Sequence, residues 1–518
     1  MVFMQRYLLI FSAIVLLSVV FKASHLHAQP EYDLFLIKEV VPFGGEGFVA
    51  VFLDHPERPK QMRLEFFAPD NRSLGQKVIS LDRRGIEAKF EGVFAWNGRL
   101  LVLTSLYYPG PQRNYLMLQQ YALPDFSEIS GIVVDEAYTP QLYRVPFGFS
   151  ISPDSSKLMV YAWSYSLPED PARLSVTILG QDLDTLWQQR YVLPYKNASL
   201  YLYDCRVTDD GRAFLVGENY TGKVGPVIDE NKIEYFVLSA VPGDENMIIY
   251  DINPQGYALR GLHIDPVPGN AMAGAAFYQE PGKGVHLGIY SFYIPPSGGK
   301  MEQGLVPVEK ETYQMAYAYS GGDGILNMNR HRFESYQVRS VRMLPDGSLL
   351  AVAEQEYYSP TEGVYEYNDI LIIRLQPGLQ NMKWIRRLPK RQSQGFSDSP
   401  LSSFSFKEIR KGDRLYFLFN DLAAHHTQPG GPRALGRYWG DDGIVVAAEL
   451  EMGTGKMRLF NLSRLLRPKS IQKAWISHCW DLNGRGLLIF GGGPSLMDEN
   501  KLFDLEWAAI LDLPARNL

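Results

Sequence analysis

One unit recurs along this chain and limits what it can fold into: a short strand, a tight turn, then a strongly apolar strand. The best copies are FSISPDSSKLMVYA (Phe149–Ala162), CRVTDDGRAFLVG (Cys205–Gly217) and VRMLPDGSLLAVA (Val341–Ala353). Looser copies are VFAWNGRLLVLT from Val93, FKEIRKGDRLYFLF from Phe406 and CWDLNGRGLLIFG from Cys479. Asp, Asn or Gly at each turn supplies the backbone conformations a hairpin needs. The apolar strand that follows is nearly continuous rather than alternating, as in a strand buried on both faces.

Two weaker units, with apolar strands from Gly47 and Met272, bring the series to eight, at spacings of about 50 to 75 residues. Further strand–turn–strand segments follow the hairpins, such as LSVTILGQDLDTLW (Leu174–Trp187) and DGIVVAAELEMGTGKMRLFNL (Asp442–Leu462). A twisted sheet cannot bury both of its faces alone, so such units stack around an axis. The expectation is an all-β chain forming a single β-propeller over residues 29–518, with eight blades preferred. Seven blades are the alternative, reached if the first unit pairs with the C-terminal LEWAAILDL (Leu505–Leu513). Two β-sandwich domains do not predict related hairpins along the whole chain.

Residues 1–28 read as a secretory signal peptide: Arg6 begins it, Tyr7–Phe21 is apolar, and a polar stretch ends near Ala28-Gln29. A retained N-terminal anchor is the alternative. No later stretch has the length and apolarity of a membrane span. The 518 residues carry a net charge of −6, or −8 without Arg6 and Lys22, so a basic nucleic-acid footprint is absent. The 31 Tyr, 27 Phe, 46 Gly and 33 Pro favour short strands joined by turns. An exported, periplasmic or extracellular monomer is expected.

The segment Glu354–Asp421 carries EQEYY, YEYNDILIIRL, KWIRRLPKRQ and RLYFLFND in that order, and TLW and LPYK fall between Thr185 and Lys196. On these motifs the chain resembles a group of secreted, functionally uncharacterised β-propeller proteins of Bacteroidota, most strongly over residues 140–420. The resemblance implies a propeller fold and export, and it brings no catalytic residues. The stretch Ala423–Gly440 stands out from the pattern as an insertion.

Three features are candidates for chemistry. Cys205 and Cys479 lie on the strands before their hairpin turns in the fourth and eighth units, which face each other across an eight-bladed ring. A disulfide needs Cα atoms within about 7 Å, so two free, mostly buried thiols are expected. His478 adjoins Cys479, but neighbours on a strand point to opposite faces, so the two form no dyad. Aligning the units on the turn puts Arg206, Arg342 and Lys407 at one offset, where three cations at the axis would attract a carboxylate or phosphate. The competing reading is that each cation pairs with a neighbouring carboxylate and ties blades together.

The third feature is the long loop Ala423–Gly443, with His425, His426, Arg437, Tyr438, Trp439, Asp441 and Asp442. Its histidines and aspartates offer metal ligands, and Tyr438 and Trp439 offer rings for stacking on a sugar. A surface loop covering a blade edge is the plainer reading. No metal-ligand spacing, GxSxG elbow or P-loop occurs, so no metal or cofactor is expected. Two functions follow: a non-catalytic binding or scaffold module of the cell envelope for a glycan, peptide or protein, or a polysaccharide-active hydrolase or lyase at the channel mouth.

Overall fold

The computed structural model describes residues 36–462, except 44–45, 56–58, 69–71, 84, 140–146, 165–166, 223–227, 317–332, 396–403, 423–437 and 439–442, together with short strands beyond. Seven antiparallel sheets succeed one another along the chain and form a seven-bladed β-propeller. They span 36–80, 82–138, 147–196, 200–252, 258–307, 336–395 and 407–461, and are numbered here as blades 1 to 7. Each is a meander in sequence order; blade 2 begins with an additional two-residue strand, and in blade 6 Gln392–Gly395 also pairs with Val364–Leu375.

Seven blades stand where eight were expected. Beyond Asn461, the strands Lys473–Ala474, Trp480–Asp481, Leu487–Gly492 and Ala508–Leu511 all pair with or around Leu487–Gly492, and two of them are only two residues long. They do not repeat the four-stranded meander. The other route to seven is not taken either. Ala508–Leu511 pairs with Leu487–Gly492, while the first unit completes a four-stranded sheet of its own.

Burial follows strand position in the blade. The second strands Phe48–Leu53 and Ala271–Gln279 are buried at every residue. The fourth strands Ser73–Ser80 and Thr185–Lys196 alternate between exposed and covered along much of their length. Residues on a strand point alternately to its two faces, and each second strand feeds two cores. In blade 5, Ala271, Ala273, Ala275 and Phe277 pack toward blade 6, whereas Met272, Ala276 and Tyr278 pack toward blade 4. In blade 6, Leu349, Ala351 and Ala353 face blade 5, while Leu350 and Val352 face blade 7. The same alternation links blades 1 to 2, 2 to 3 and 3 to 4.

In such a meander, the first and third turns lie at one end of the blade, and the second turn and the crossing to the next blade lie at the other. The longest connections, 221–232, 308–335, 396–406 and 423–442, all fall at the second end. No helix among the described residues is long and apolar enough to cross a membrane.

The core between blades 5 and 6 makes a direct test. Phe277 is fully buried and contacts the rings of His286, Phe333 and Tyr336. Phe277→Ala is expected to cost about 3–5 kcal/mol, read as a lower denaturant midpoint. Val78→Ala, on an exposed outer strand, should stay within about 0.5 kcal/mol of the parent protein.

Candidate functional site

The innermost strands of five blades share one irregularity. The ladder to the second strand slips between Ile37 and Glu39, Phe90 and Gly92, Leu202 and Asp204, Arg260 and His263, and Val338 and Ser340. A bulge bends its strand and re-aims the side chains that follow. In blade 5 the slip includes Gly261 at φ +62, where an added Cβ would lie 2.8 Å from the Cα of Gln337 in blade 6. Only glycine permits that approach of the two inner strands.

Polar residues after the bulges join neighbouring blades. Arg206 of blade 4 pairs with Asp204 and, through Nε at 3.2 Å, with Asp265 of blade 5. His263 lies between the two aspartates, Nδ1 3.1 Å from Asp204 and Nε2 3.1 Å from Asp265. Asp265 also accepts from the Val341 amide of blade 6 at 2.8 Å. Arg342 of blade 6 donates to Glu408 of blade 7 at 2.9 and 2.6 Å, and Ser340 donates to the same carboxylate at 2.5 Å. Burial works to lower the His263 pKa, but hydrogen bonds and charge from Asp204 and Asp265 outweigh it and raise it to about 9. Burial alone would raise Asp265; its partners hold it below the usual carboxylate range.

Two of the three aligned cations are therefore engaged with carboxylates of the next blade. Lys407 stands elsewhere in its ladder. The last pairs before the turns are Val207 with Ala213, Met343 with Leu349, and Lys411 with Arg414. Arg206 and Arg342 thus sit one pair from the end and Lys407 four. Its charge acts on Glu39 of blade 1, whose carboxyl is pushed up to about 7 by burial despite Lys38 and Lys407. Cys205 is a free thiol, buried, with Sγ 3.7 Å from the Phe149 carbonyl oxygen. Burial, with the charge of Asp204 added, pushes it up to about 12, which makes it unreactive.

The inserted loop is described only at Tyr438; His425, His426, Trp439 and Cys479 lie outside the described residues. Tyr438 does not present its ring for stacking on a ligand. It is fully buried, exchanges backbone hydrogen bonds with Arg391 and Ser393, and packs on Phe404. Beside it, at the second end of blade 6, lies a buried charge network. Lys390 reaches Glu354 at 2.6 Å, Ser405 donates to Glu354 at 2.6 Å, and Arg387 holds Asp369 at 2.6 Å. Removing one partner of a buried pair strands a charge, so this network is read as a structural anchor for the loops.

An open site lies between blades 5 and 6, at the end that carries the long connections. A cavity of about 350 Å³ is lined by Glu230, Arg260, Gln279, His286, Ser335, Gln337, Glu356 and the glycines 282 and 284. Arg260 pairs with Glu230, and Glu356 with Arg339. His286 is 3% exposed and stacks on Phe277. Burial, helped by the charge of Arg260, lowers it to about 3, so it is neutral. Its Nε2 accepts the Tyr336 amide at 3.1 Å, which leaves the proton on Nδ1. Nδ1 has no hydrogen-bond partner among the described residues.

None of these cavity residues was singled out from sequence. A signal existed for the inner-strand residues: Asp204-x-Arg206, His263-x-Asp265 and Ser340-x-Arg342 share one polar spacing before a turn. His286 and Gln337 carried no such pattern.

No family model and no curated protein matches the chain. Among solved structures it is similar to the β-propeller domain of the Trilobed protease from Pyrococcus furiosus, at 8% identity and TM-score 0.37, over 81% of this chain and 95% of that one. It is similar to the acylaminoacyl peptidase of Pyrococcus horikoshii, at 8% and 0.35, over 88% of this chain and 57% of that one. It is also similar to the WD40 domain of SCAP from fission yeast, at 9% and 0.37, over 89% and 91%. At these identities the likeness concerns the fold alone and says nothing of what the chain binds.

The His263 bridge carries a pH dependence. Its folded pKa of about 9 lies above the 6.5 of a free imidazole, so its stabilisation is full below pH 6.5 and lost as pH rises through 9. Melting temperature should fall across that window, and His263→Gln should flatten this part of the profile.

Proposed function

We propose that the chain is an exported binding propeller, without chemistry of its own, that holds a glycan in the cavity between blades 5 and 6. The observation that carries this is the polar lining of that cavity, to which His286 belongs with a buried Nδ1–H that has no acceptor among the described residues. Gln279, Gln337, Ser335 and the Arg260–Glu230 pair add donors and acceptors side by side. Sugar hydroxyls, each both donor and acceptor, match such a wall better than an apolar peptide side chain would. Export rests on the leader-like residues 1–28, and membership of the secreted Bacteroidota propeller group rests on the motifs between Thr185 and Asp421.

The alternative, a hydrolase or lyase acting on polysaccharide, has one observation in its favour. Glu39, near pH 7 on the inner strand of blade 1, is poised as a general acid. The charges that act on it among the described residues are those of lysines 38 and 407, with no second carboxylate beside them.

Glycan and peptide arrays separate these readings from a peptide receptor. Calorimetry with a glycan so identified should then show Gln337→Ala and Arg260→Ala each weakening binding about tenfold, the worth of one hydrogen bond to a polar or charged group. Glycan binding that survives both substitutions would falsify the site. Turnover of the glycan that disappears in Glu39→Gln would favour the enzyme.

A further inference from the structure

The wedge between blades 2 and 3 holds a second cavity, of about 430 Å³, at the same end of the ring. Sheets that radiate from an axis diverge with distance from it, so the outer strands leave room that side chains must fill. Here they leave it open. Blade 2 contributes Arg113, Glu136 and Tyr138; blade 3 contributes Arg173, Leu174, Arg190 and Val192, with Asp170 from the connection.

Three arginines meet two carboxylates in this wall. Glu136 is shared: Arg113 pairs with it, and Arg190 lies 3.5 Å away. Asp170 accepts from the Leu167 amide at 3.2 Å, inside its own turn. Arg173 has no carboxylate partner among the described residues and is exposed, as is two-thirds of the Arg190 side chain. Guanidinium groups bind carboxylates through paired hydrogen bonds in a fixed plane. Tyr138 is 47% exposed and Val192 64%, so an aromatic ring and an apolar surface flank the arginines. A ring beside paired guanidiniums fits a pyranose that carries a carboxylate, because the sugar face stacks while the acid is held.

We propose that this cleft is a binding subsite for uronate-bearing saccharides, with Arg173 and Arg190 holding the carboxylate and Tyr138 the sugar face. The inference does not depend on the cavity between blades 5 and 6, since the two share no residue.

Titration calorimetry with trigalacturonate as the probe tests it on the whole protein. Expected are saturable binding that weakens with added salt, no binding of the fully methyl-esterified trisaccharide, and a loss of about tenfold or more in Arg173→Ala. Tyr138→Ala should weaken the saccharide while leaving any binding of triglutamate unchanged. All three side chains reach solvent, so the variants should keep the parent melting temperature. The proposal is overturned by an absence of saturable binding, by binding that survives Arg173→Ala combined with Arg190→Ala, or by triglutamate binding as tightly as the saccharide. Gln337→Ala serves as the control for the other cavity. Trigalacturonate binding lost there but kept in Arg173→Ala would sink the cleft and leave the site between blades 5 and 6 standing.

Discussion

The second strand of each blade must be apolar on both faces, and the rest of the molecule depends on that requirement. Ala273 and Met272 are neighbours in sequence, yet one belongs to the core shared with blade 6 and the other to the core shared with blade 4. A sheet of this kind has no solvent face near the axis, so each blade is stable only between two others. Polar side chains are thereby driven to three places: the inner strands, the outer strands and the connections. The candidates for function lie there or towards the ends of the middle strands, as Arg113, Arg173 and His286 do.

The inner strands illustrate the cost of placing charge near the axis. Bulges turn Asp204, His263 and Ser340 into positions where the apolar pattern is broken. Once there, partly buried charges need partners, and the nearest ones belong to the adjacent blade. The result is a chain of pairs, Arg206 to Asp265 and Arg342 to Glu408. Such pairs contribute little net stability compared with apolar packing, but they set the register of one blade against the next. The two arginines that the sequence aligned are thereby engaged between blades.

How much was legible in the sequence follows from the range of each interaction. Hairpins are local, so the turn residues and apolar runs announced the blades, and the burial of Cys205 followed from its place in one of them. Blade number depends on the whole ring. A hairpin-like CWDLNGRGLLIFG did not guarantee the third and fourth strands of a further meander. Arg206 and Arg342 find partners 59 and 66 residues away, a distance at which no spacing rule operates. Tyr438 misled for the opposite reason: in a Gly- and Pro-rich stretch it resembled a ligand contact, but it bridges to Gln392 of blade 6 and is buried against Phe404. His286 was invisible because its significance lies in one nitrogen that the Tyr336 amide leaves unpaired.

The two open cavities differ in their physics, and the difference bears on selectivity. Between blades 5 and 6, small residues let the inner strands approach at Gly261, and the cavity above them is walled by paired charges and amides. A ligand there exchanges hydrogen bonds one for one, so shape and hydroxyl geometry decide what fits. Between blades 2 and 3, the arginines are solvated and one carboxylate serves two of them. A ligand carboxylate arriving there relieves repulsion among like charges as well as making new bonds, so the sign of its charge decides. A saccharide that engaged both sites would be read once for its stereochemistry and once for its acidity, by two walls built from the same repeated unit.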